Sequence, residues 1–281
     1  MSHLDNHNII TDRQHAFRKH HNCETQLCNV IHDWAKNIDY GKQTDIFILD
    51  FEKAFDTVPH ELLKSKLNSY GISGNTLCWI DAFLCRRKQC VVVNGTKSGW
   101  SDVKSGVPQG TVLGPVLISL HINDILHDIE SNMRLFADDC VCYRVIDTIE
   151  DCEKLQTDIN KLGEWARKWG MQFQPVKCNM MKLTCKRKHH IDYNYKLEGV
   201  KLEFLNNIKY LGVNISSDLR WEKHVMKCTS KTNRVLGLLK RNLHLCSKEV
   251  KETGLPQLCT TNIRIRRHSM GSTLYLSGRT T

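Results

Sequence analysis

Two adjacent carboxylates interrupt an apolar stretch, and they restrict most strongly how this chain can fold. The sequence LFADDCVC sets Asp138 and Asp139 between β-prone runs at 133–136 and 140–145. An unpaired charge is costly to bury, whereas Asp is common in turns because its side chain can hydrogen-bond to the nearby backbone. The pattern therefore predicts a β-hairpin with both acids at its tip. Taken alone, the pair is also compatible with an ordinary turn.

A third acid stands at the end of another apolar run. Residues 45–51 read DIFILDF, with charge only towards the ends. Such a run is typical of a strand that is buried on both faces. Asp50 would then emerge at the carboxyl end of that strand.

Helices are predicted on both sides of these strands. Apolar residues recur at helical spacing in five segments, which are 24–38, 59–70, 75–85, 149–169 and 222–253. Residues 111–129 suggest a buried helix whose regular part follows Gly114 and Pro115. Asn94 and Gly95 are typical of a two-residue hairpin turn, and residues 208–221 suggest a further hairpin. Strands mixed with helices indicate an α+β or α/β protein.

The charge of the chain favours a polyanionic partner. Forty Lys and Arg residues against thirty Asp and Glu give a formal charge of +10. Nucleic acid fits such a surface, as does an anionic membrane, although a solvated basic surface is the simplest explanation. No apolar run is long enough for a membrane span and no signal peptide is recognisable. We therefore expect an intracellular protein, in the nucleus or cytoplasm and not secreted, whose 13 cysteines are reduced thiols.

Several motifs occur in an order that is typical of one enzyme family. They are LDFEKAFDTVPH (49–60), SGVPQGTVLGP (105–115), FADD (136–139) and YLGVNI (210–215). Together they resemble the palm of reverse transcriptases, specifically those of non-LTR retrotransposons of the jockey and LINE kind. The segment DRQHAFRKHHNCETQL (12–27) is similar to the fingers motif of that family, and KWGMQFQPVKC (168–178) to the palm motif after the catalytic hairpin.

The resemblance implies an α+β fold, the right-hand polymerase architecture. Its palm would be a ferredoxin-like split β-α-β sheet with flanking helices. The expected divisions are partial fingers at 1–43, the palm at 44–221, a partial helical thumb at 222–254 and a divergent tail at 255–281. The resemblance stops abruptly at that tail, so we expect a shifted reading frame or a gene-model artefact there, and a domain that is truncated at both ends.

The same resemblance implies a metal site. Asp50 and Asp138 would be the main ligands and Asp139 the second acid of the pair, together holding two Mg²⁺ ions, for which Mn²⁺ could substitute. The chemistry agrees, because two divalent ions can neutralise the attacking and leaving oxygens of a phosphoryl transfer. Lys177 resembles the lysine that gives a proton to departing pyrophosphate, a general-acid role.

The resemblance also implies a nucleotide site, made of Arg18, Phe51, Phe55, Gln109 and Gly110. Arg18 would hold the triphosphate, because guanidinium groups match phosphate geometry. Phe55 would be the steric gate that excludes a 2′-hydroxyl, which implies deoxynucleotide substrates; the simplest alternative is a core residue. For Asp56 we expect the ordinary role of capping the helix that starts near Pro59.

The expected function is RNA-directed DNA polymerase activity. Its partners would be an RNA template, a DNA primer and dNTPs, with no membrane and no obligate protein partner evident. One alternative is a catalytically inactive remnant of a retroelement that at most binds nucleic acid. Another is a metal-dependent nuclease, which also uses clustered carboxylates but does not account for Phe55 or the Gln109 loop.

Overall fold

Helices and short strands alternate through the computed structural model, which describes residues 2–185, 190–244 and 247. The helices are α1 (Ser2–Asn6), α2 (Cys23–Asp39), α3 (Ala54–Thr57), α4 (His60–Ser69), α5 (Gly74–Leu84), α6 (Leu113–Ile122), α7 (Ile149–Lys168) and α8 (Glu222–Asn242). The strands are β1 (Gln43–Leu49), β2 (Lys88–Gln89), β3 (Val92–Val93), β4 (Thr96–Lys97), β5 (Ser101–Asp102), β6 (Asn132–Phe136), β7 (Asp139–Ile146), β8 (Asn179–Leu183), β9 (Lys196–Leu197), β10 (Val200–Lys201), β11 (Asn207–Tyr210) and β12 (Val213–Ser216). The fold is α+β, in agreement with the sequence.

Four strands form the central antiparallel sheet, in the spatial order β6, β7, β1, β8. Along the chain, helices connect β1 to β6 and α7 connects β7 to β8, so the connectivity is β-α-β-β-α-β. Strand β1 lies between β7 and β8, and six of its seven residues are buried. The predicted doubly buried strand is confirmed.

Two apolar clusters cover the two faces of this sheet. On one face, Phe47 and Leu49 pack with buried residues of α4, α6 and α7. On the other face, Ile46 and Tyr143 pack with Trp34 of α2 and with the β11–β12 hairpin. Each large apolar side chain that becomes fully buried contributes roughly 1.5–3 kcal/mol. The sheet is therefore held from both sides, and its ends remain available for polar groups.

Local sequence signals explain where two of the elements begin. The backbone N–H of Thr148 donates to Asp151 at 3.0 Å, which completes the predicted capping box of α7. Asn94 and Gly95 have φ values of 50° and 83°, so they form the predicted primed turn, here between β3 and β4.

Helix α6 differs from the prediction at both ends. It begins at Leu113, so Gly114 and Pro115 lie in its first turn instead of before it. Proline costs little there, because the first N–H groups of a helix have no acceptor within the helix. The α-helix ends at Ile122 and a short 3₁₀ turn over Asn123–Leu126 follows, so it does not extend to residue 129.

The last described helix, α8, begins at the predicted residue 222 but ends at Asn242, and residues 243–244 form a turn where the prediction continued the helix. Its predicted continuation from 248 to 253 and the divergent tail at 255–281 lie outside the described residues. Among the helices that the structure describes, none combines the length and the apolar character that a bilayer crossing requires.

Candidate active site

Strand register brings three carboxylates to one end of the central sheet. The last residue of β1, Leu49, lies opposite Cys140 of β7. At the next position towards this end of the sheet, Asp50 follows Leu49 and Asp139 precedes Cys140. Asp138 occupies the two-residue turn between β6 and β7. The predicted hairpin with acids at its tip is confirmed.

The turn itself has an unusual backbone. Of its two central residues, only Ala137 has a positive φ, at 54°. A two-residue hairpin turn with positive φ only at its first central position follows the type II′ pattern, which ordinarily prefers glycine there. Successive strand residues point to opposite faces, so this bent turn is what allows Asp138 and Asp139 to approach the same partner, Asp50.

The three carboxylates interact electrostatically. Loss of hydration, followed by the charges of Asp138 and Asp50, raises the pKa of Asp139 to about 6. Solvent reaches Asp139, but the concave surroundings remove part of its hydration shell. Loss of hydration and the charge of Asp50 also raise the pKa of Asp138. Negative charge is therefore concentrated at this end of the sheet.

The chemistry of this donor set suits a hard divalent cation. Within the described residues, no three His, Cys, Asp or Glu side chains are already arranged around a common ion position. Loss of hydration and repulsion between the carboxylates raise the pKa of Asp138 and of Asp139, and a bound cation would favour their ionised forms. Carboxylate oxygens are the ligands that Mg²⁺ prefers. Asp50, Asp138 and Asp139 therefore fit a magnesium site by ligand type and charge.

A loop after α7 is fastened to the backbone of Asp50. The backbone N–H of Gln174 donates to the Asp50 carbonyl at 2.9 Å. The buried thiol of Cys178 accepts from the Asp50 N–H, with a sulfur to nitrogen distance of 3.4 Å. Lys177 Nζ lies 3.8 Å from Asp50 Oδ1. The predicted Lys177 is thus beside the predicted metal ligand.

A cleft of about 370 Å³ opens at these residues. Its lining includes Asp50, Asp139 and Lys177, together with Lys209 and Tyr210 of β11. The charge of Lys209 acts on Asp139 and partly offsets the rise in its pKa. The cleft therefore combines an acidic floor with two ammonium groups, an arrangement that can accept both cations and phosphate oxygens.

The loop containing Gly106 packs directly on α3. Gly106 has a φ of 83°, and a Cβ at this position would lie 2.6 Å from the carbonyl oxygen of Phe55. The same carbonyl accepts the N–H of Val107 at 2.7 Å. Only glycine allows this approach. Phe55 and the loop that contains Gln109 and Gly110 are consequently parts of one structural unit.

The interpretation of Asp56 as a helix cap is wrong. Helix α4 begins at His60, its N-cap is Pro59, and no side chain caps it. Asp56 lies instead within the one-turn helix α3, where its Oδ1 accepts from Gln109 Nε2 at 3.3 Å. Asp56 belongs to a separate helix, α3, and Pro59 takes the N-cap position of α4.

The remaining predicted nucleotide residues occupy different environments. Phe55 is half-buried at the edge of the core. Phe51 is buried and stacks on Phe173 with 4.5 Å between ring centroids, so its side chain belongs to the core and any nucleotide contact would have to come from its backbone. Arg18 donates to the Thr11 carbonyl at 2.9 Å and forms an ion pair with Asp12.

Three residues of the site escaped the sequence analysis as site residues: Cys178, Lys209 and Tyr210. Lys209 and Tyr210 line the cleft through the placement of β11 beside β8. Cys178 reaches Asp50 because β8 pairs with β1. The only signal in the sequence was their position inside or next to recognised motifs, which does not specify contacts.

Known proteins resemble this chain over most of its length. The family model described as "Reverse transcriptase (RNA-dependent DNA polymerase)" matches residues 1–215. The probable RNA-directed DNA polymerase from transposon X-element of Drosophila melanogaster is 30% identical over 223 residues, which cover 77% of this chain and 24% of that protein. The RNA-directed DNA polymerase from mobile element jockey of Drosophila funebris is 28% identical over 221 residues, or 75% of this chain and 24% of that protein.

The chain spans about a quarter of the length of these two relatives. Among solved structures, telomerase from Candida albicans, in complex with a TWJ fragment of telomeric RNA, has a TM-score of 0.53 at 12% identity. That likeness covers 95% of this chain and 46% of the telomerase chain, and it concerns the fold alone.

Proposed function

This chain belongs to the reverse transcriptase family, and on that basis we propose that it extends a DNA primer on an RNA template, using dNTPs. The observation that carries the proposal is the β1–β7 register, which brings Asp50 and Asp139 to adjacent positions with Asp138 in the neighbouring turn. The family match includes all three acids.

Asp50, Asp138 and Asp139 would hold the divalent ions, two Mg²⁺ in our proposal, with Mn²⁺ as a substitute. Bound ions would neutralise charge that develops on the phosphoryl and leaving oxygens. The protein's own contribution is a rigid clamp, because one acid ends a buried strand and two belong to the neighbouring hairpin. Backbone hydrogen bonds from the loop at 174–178 support Asp50.

Lys177 is proposed to protonate the departing pyrophosphate. Its ammonium group lies 3.8 Å from Asp50 Oδ1, and more than half of the side chain is exposed to the cleft and solvent. A lysine here can reach an anion held at the acids and give up a proton as charge leaves.

The nucleotide would bind between the acids and the loop at 106–110. We propose that Phe55 excludes a 2′-hydroxyl, while Gln109 and Gly110 lie beside the incoming nucleotide. In support, the Phe55 carbonyl and the Asp56 carboxylate both hold this loop. Arg18 would contact the triphosphate after leaving the exposed Asp12 and the Thr11 carbonyl. We also propose that residues 1–43 belong to the fingers, residues 44–221 to the palm and residues 222–254 to the thumb.

Primer extension with purified protein tests this function. The template is a primed RNA with Mg²⁺ and dNTPs, and the variants are Asp138→Ala and Asp139→Ala. The matched control is Asp147→Ala, which removes an exposed acid just beyond the opposite end of β7, paired with Lys42 at the surface. We expect extension by the parent and the control and none by the two variants.

Other outcomes point to the alternatives. Folded parent protein that binds the duplex but does not extend it would indicate an inactive remnant. Shortening of the template in the absence of dNTPs, abolished by Asp138→Ala, would indicate a nuclease.

A further inference from the structure

A short N-terminal segment runs along the edge of β6 that faces away from β7. The N–H of Leu135 donates to the Arg13 carbonyl at 2.9 Å, and the N–H of His15 donates to the Leu135 carbonyl at 3.0 Å. Gln14, between these two residues, is paired with Leu135 in a parallel bridge. The segment therefore lies beside the strand that leads into the turn of Ala137 and Asp138.

The Gln14 side chain continues this pairing into the turn. Its Oε1 accepts the N–H of Ala137 at 3.0 Å and also the N–H of Ala16 at 3.0 Å. Its Nε2 lies 3.5 Å from the Ala137 carbonyl, to which it donates. Gln14 is completely buried. One side-chain amide thus holds both polar backbone groups of Ala137.

Ala137 is the residue of the turn that needs such support. Its φ of 54° lies in a region that is strained for a residue with a Cβ, and such strain persists only where the surroundings determine it. The direction of Asp138 follows from this backbone geometry, since Asp138 comes directly after Ala137.

We propose that Gln14 is a positioning residue for the candidate active site. Its amide holds the Ala137 peptide in the strained turn and thereby fixes the direction of Asp138 and Asp139. The catalytic consequence rests on the proposed polymerase function, but the backbone restraint does not.

Two substitutions of Gln14 separate the hydrogen bonds from the space that the side chain fills. Gln14→Met keeps the length and removes both the acceptor and the donor of the side-chain amide. Gln14→Asn, shorter by one methylene, serves if the methionine protein does not fold. Gln43→Met is the matched control, because buried Gln43 holds the backbone of Ile191 through the same two groups, at the opposite end of β1.

The first measurement is amide hydrogen exchange at Ala137 by NMR, without substrate or metal. We expect exchange about tenfold faster in Gln14→Met, in line with the loss of one buried hydrogen bond, and no change in Gln43→Met. Unchanged exchange at Ala137 in folded Gln14→Met or Gln14→Asn would overturn the proposal. This readout remains decisive even if the parent protein proves unable to extend a primer, so the two proposals fail separately.

The second measurement is steady-state primer extension. We expect kcat of Gln14→Met to fall roughly 10- to 100-fold, as for misplaced catalytic groups, with KM for dNTP little changed. Adding Ala137→Gly to Gln14→Met should raise kcat several-fold above that of Gln14→Met alone. Glycine adopts the positive φ without the hydrogen bonds from Gln14. An equal loss in the Gln43→Met control, or no recovery with Ala137→Gly, would mean that Gln14 only supports the fold.

Discussion

At the scale of single residues, the catalytic role proposed for Asp139 conflicts with the stability of the fold. Its pKa is raised to about 6 from an ordinary 3.8, so the folded protein binds this proton more tightly than the unfolded chain. Ionised Asp139 therefore lowers stability above about pH 6, and that cost disappears as the pH falls below 3.8. A divalent ion at the site would remove the same cost by neutralising the charge.

We predict that Asp139→Asn stabilises the protein while abolishing activity. In buffer that contains a chelator, at pH 7.5, the unfolding free energy should rise by ~1 kcal/mol. This figure already includes a reduction of the electrostatic cost by solvent screening. The gain should shrink as the pH falls from 6 to 4, since both proteins are then neutral at this position. Thermal unfolding across this pH range provides the measurement. Asp147→Asn is the control, and a gain for Asp139→Asn that does not depend on pH would contradict the electrostatic origin.

Residue types predicted part of the site and could not predict the rest. Charges at the ends of apolar runs marked Asp50, Asp138 and Asp139 as unusual, and the resemblance to reverse transcriptases implied their role as metal ligands. The contacts of Cys178 and Gln14 depend on which strands pair across long sequence separations, which neither periodicity nor composition encodes. Asp56 was misjudged because the four residues of α3 are too few to show helical periodicity.

At the scale of elements, the loop at 106–110 and helix α3 form one structural unit. Gly106 allows the contact, because a Cβ there would lie 2.6 Å from the Phe55 carbonyl and 2.7 Å from Asp56 Cα. These are backbone atoms of α3, so neither can rotate away as a flexible side chain would.

We predict that Gly106→Ala destabilises the protein by roughly 3 kcal/mol or more, since strain at positive φ and a steric clash add. Gly95→Ala is the matched control: its φ is also 83°, but no atom lies within 4 Å of the added Cβ. Its cost should be about 1 kcal/mol, from the backbone conformation alone. Urea denaturation of the two proteins gives the comparison. Equal losses would show that the contact with α3 is not tight in solution.

Element boundaries followed the sequence where the signal was local. The capping box at Thr148 and the turn at Asn94 and Gly95 each involve residues within a few positions of one another, and both formed as predicted. Helix α6 departed from its prediction because Pro115 was treated as an interruption, whereas the first helical turn accepts proline freely.

At the scale of the whole molecule, the net charge of +10 governs how nucleic acid would be held. Helix α8 presents several exposed basic residues, among them Lys231 and Arg234. Contacts between such residues and phosphates release counterions, which makes affinity depend on salt.

We predict that duplex affinity falls linearly on a plot of log K against log salt. The double substitution Lys231→Gln/Arg234→Gln should reduce the magnitude of the slope by about 2, or one unit for each lost phosphate contact. Lys42→Gln removes a surface lysine that is paired with Asp147, so its slope should equal that of the parent. Fluorescence anisotropy with a labelled RNA–DNA duplex measures all three. An unchanged slope in the double variant would exclude α8 from the contact surface.

The position of β1 between β7 and β8 also affects how the protein is made. During synthesis, β1 leaves the ribosome long before Cys140 or Asn179, the residues that will flank its end. At ordinary translation speed this interval lasts on the order of ten seconds. For that time the buried strand β1 has neither neighbour, and a nascent chain in this state is a natural client for chaperones. The three acids come together when the β6–β7 hairpin reaches β1, and Lys177 and Lys209 of the cleft join them later.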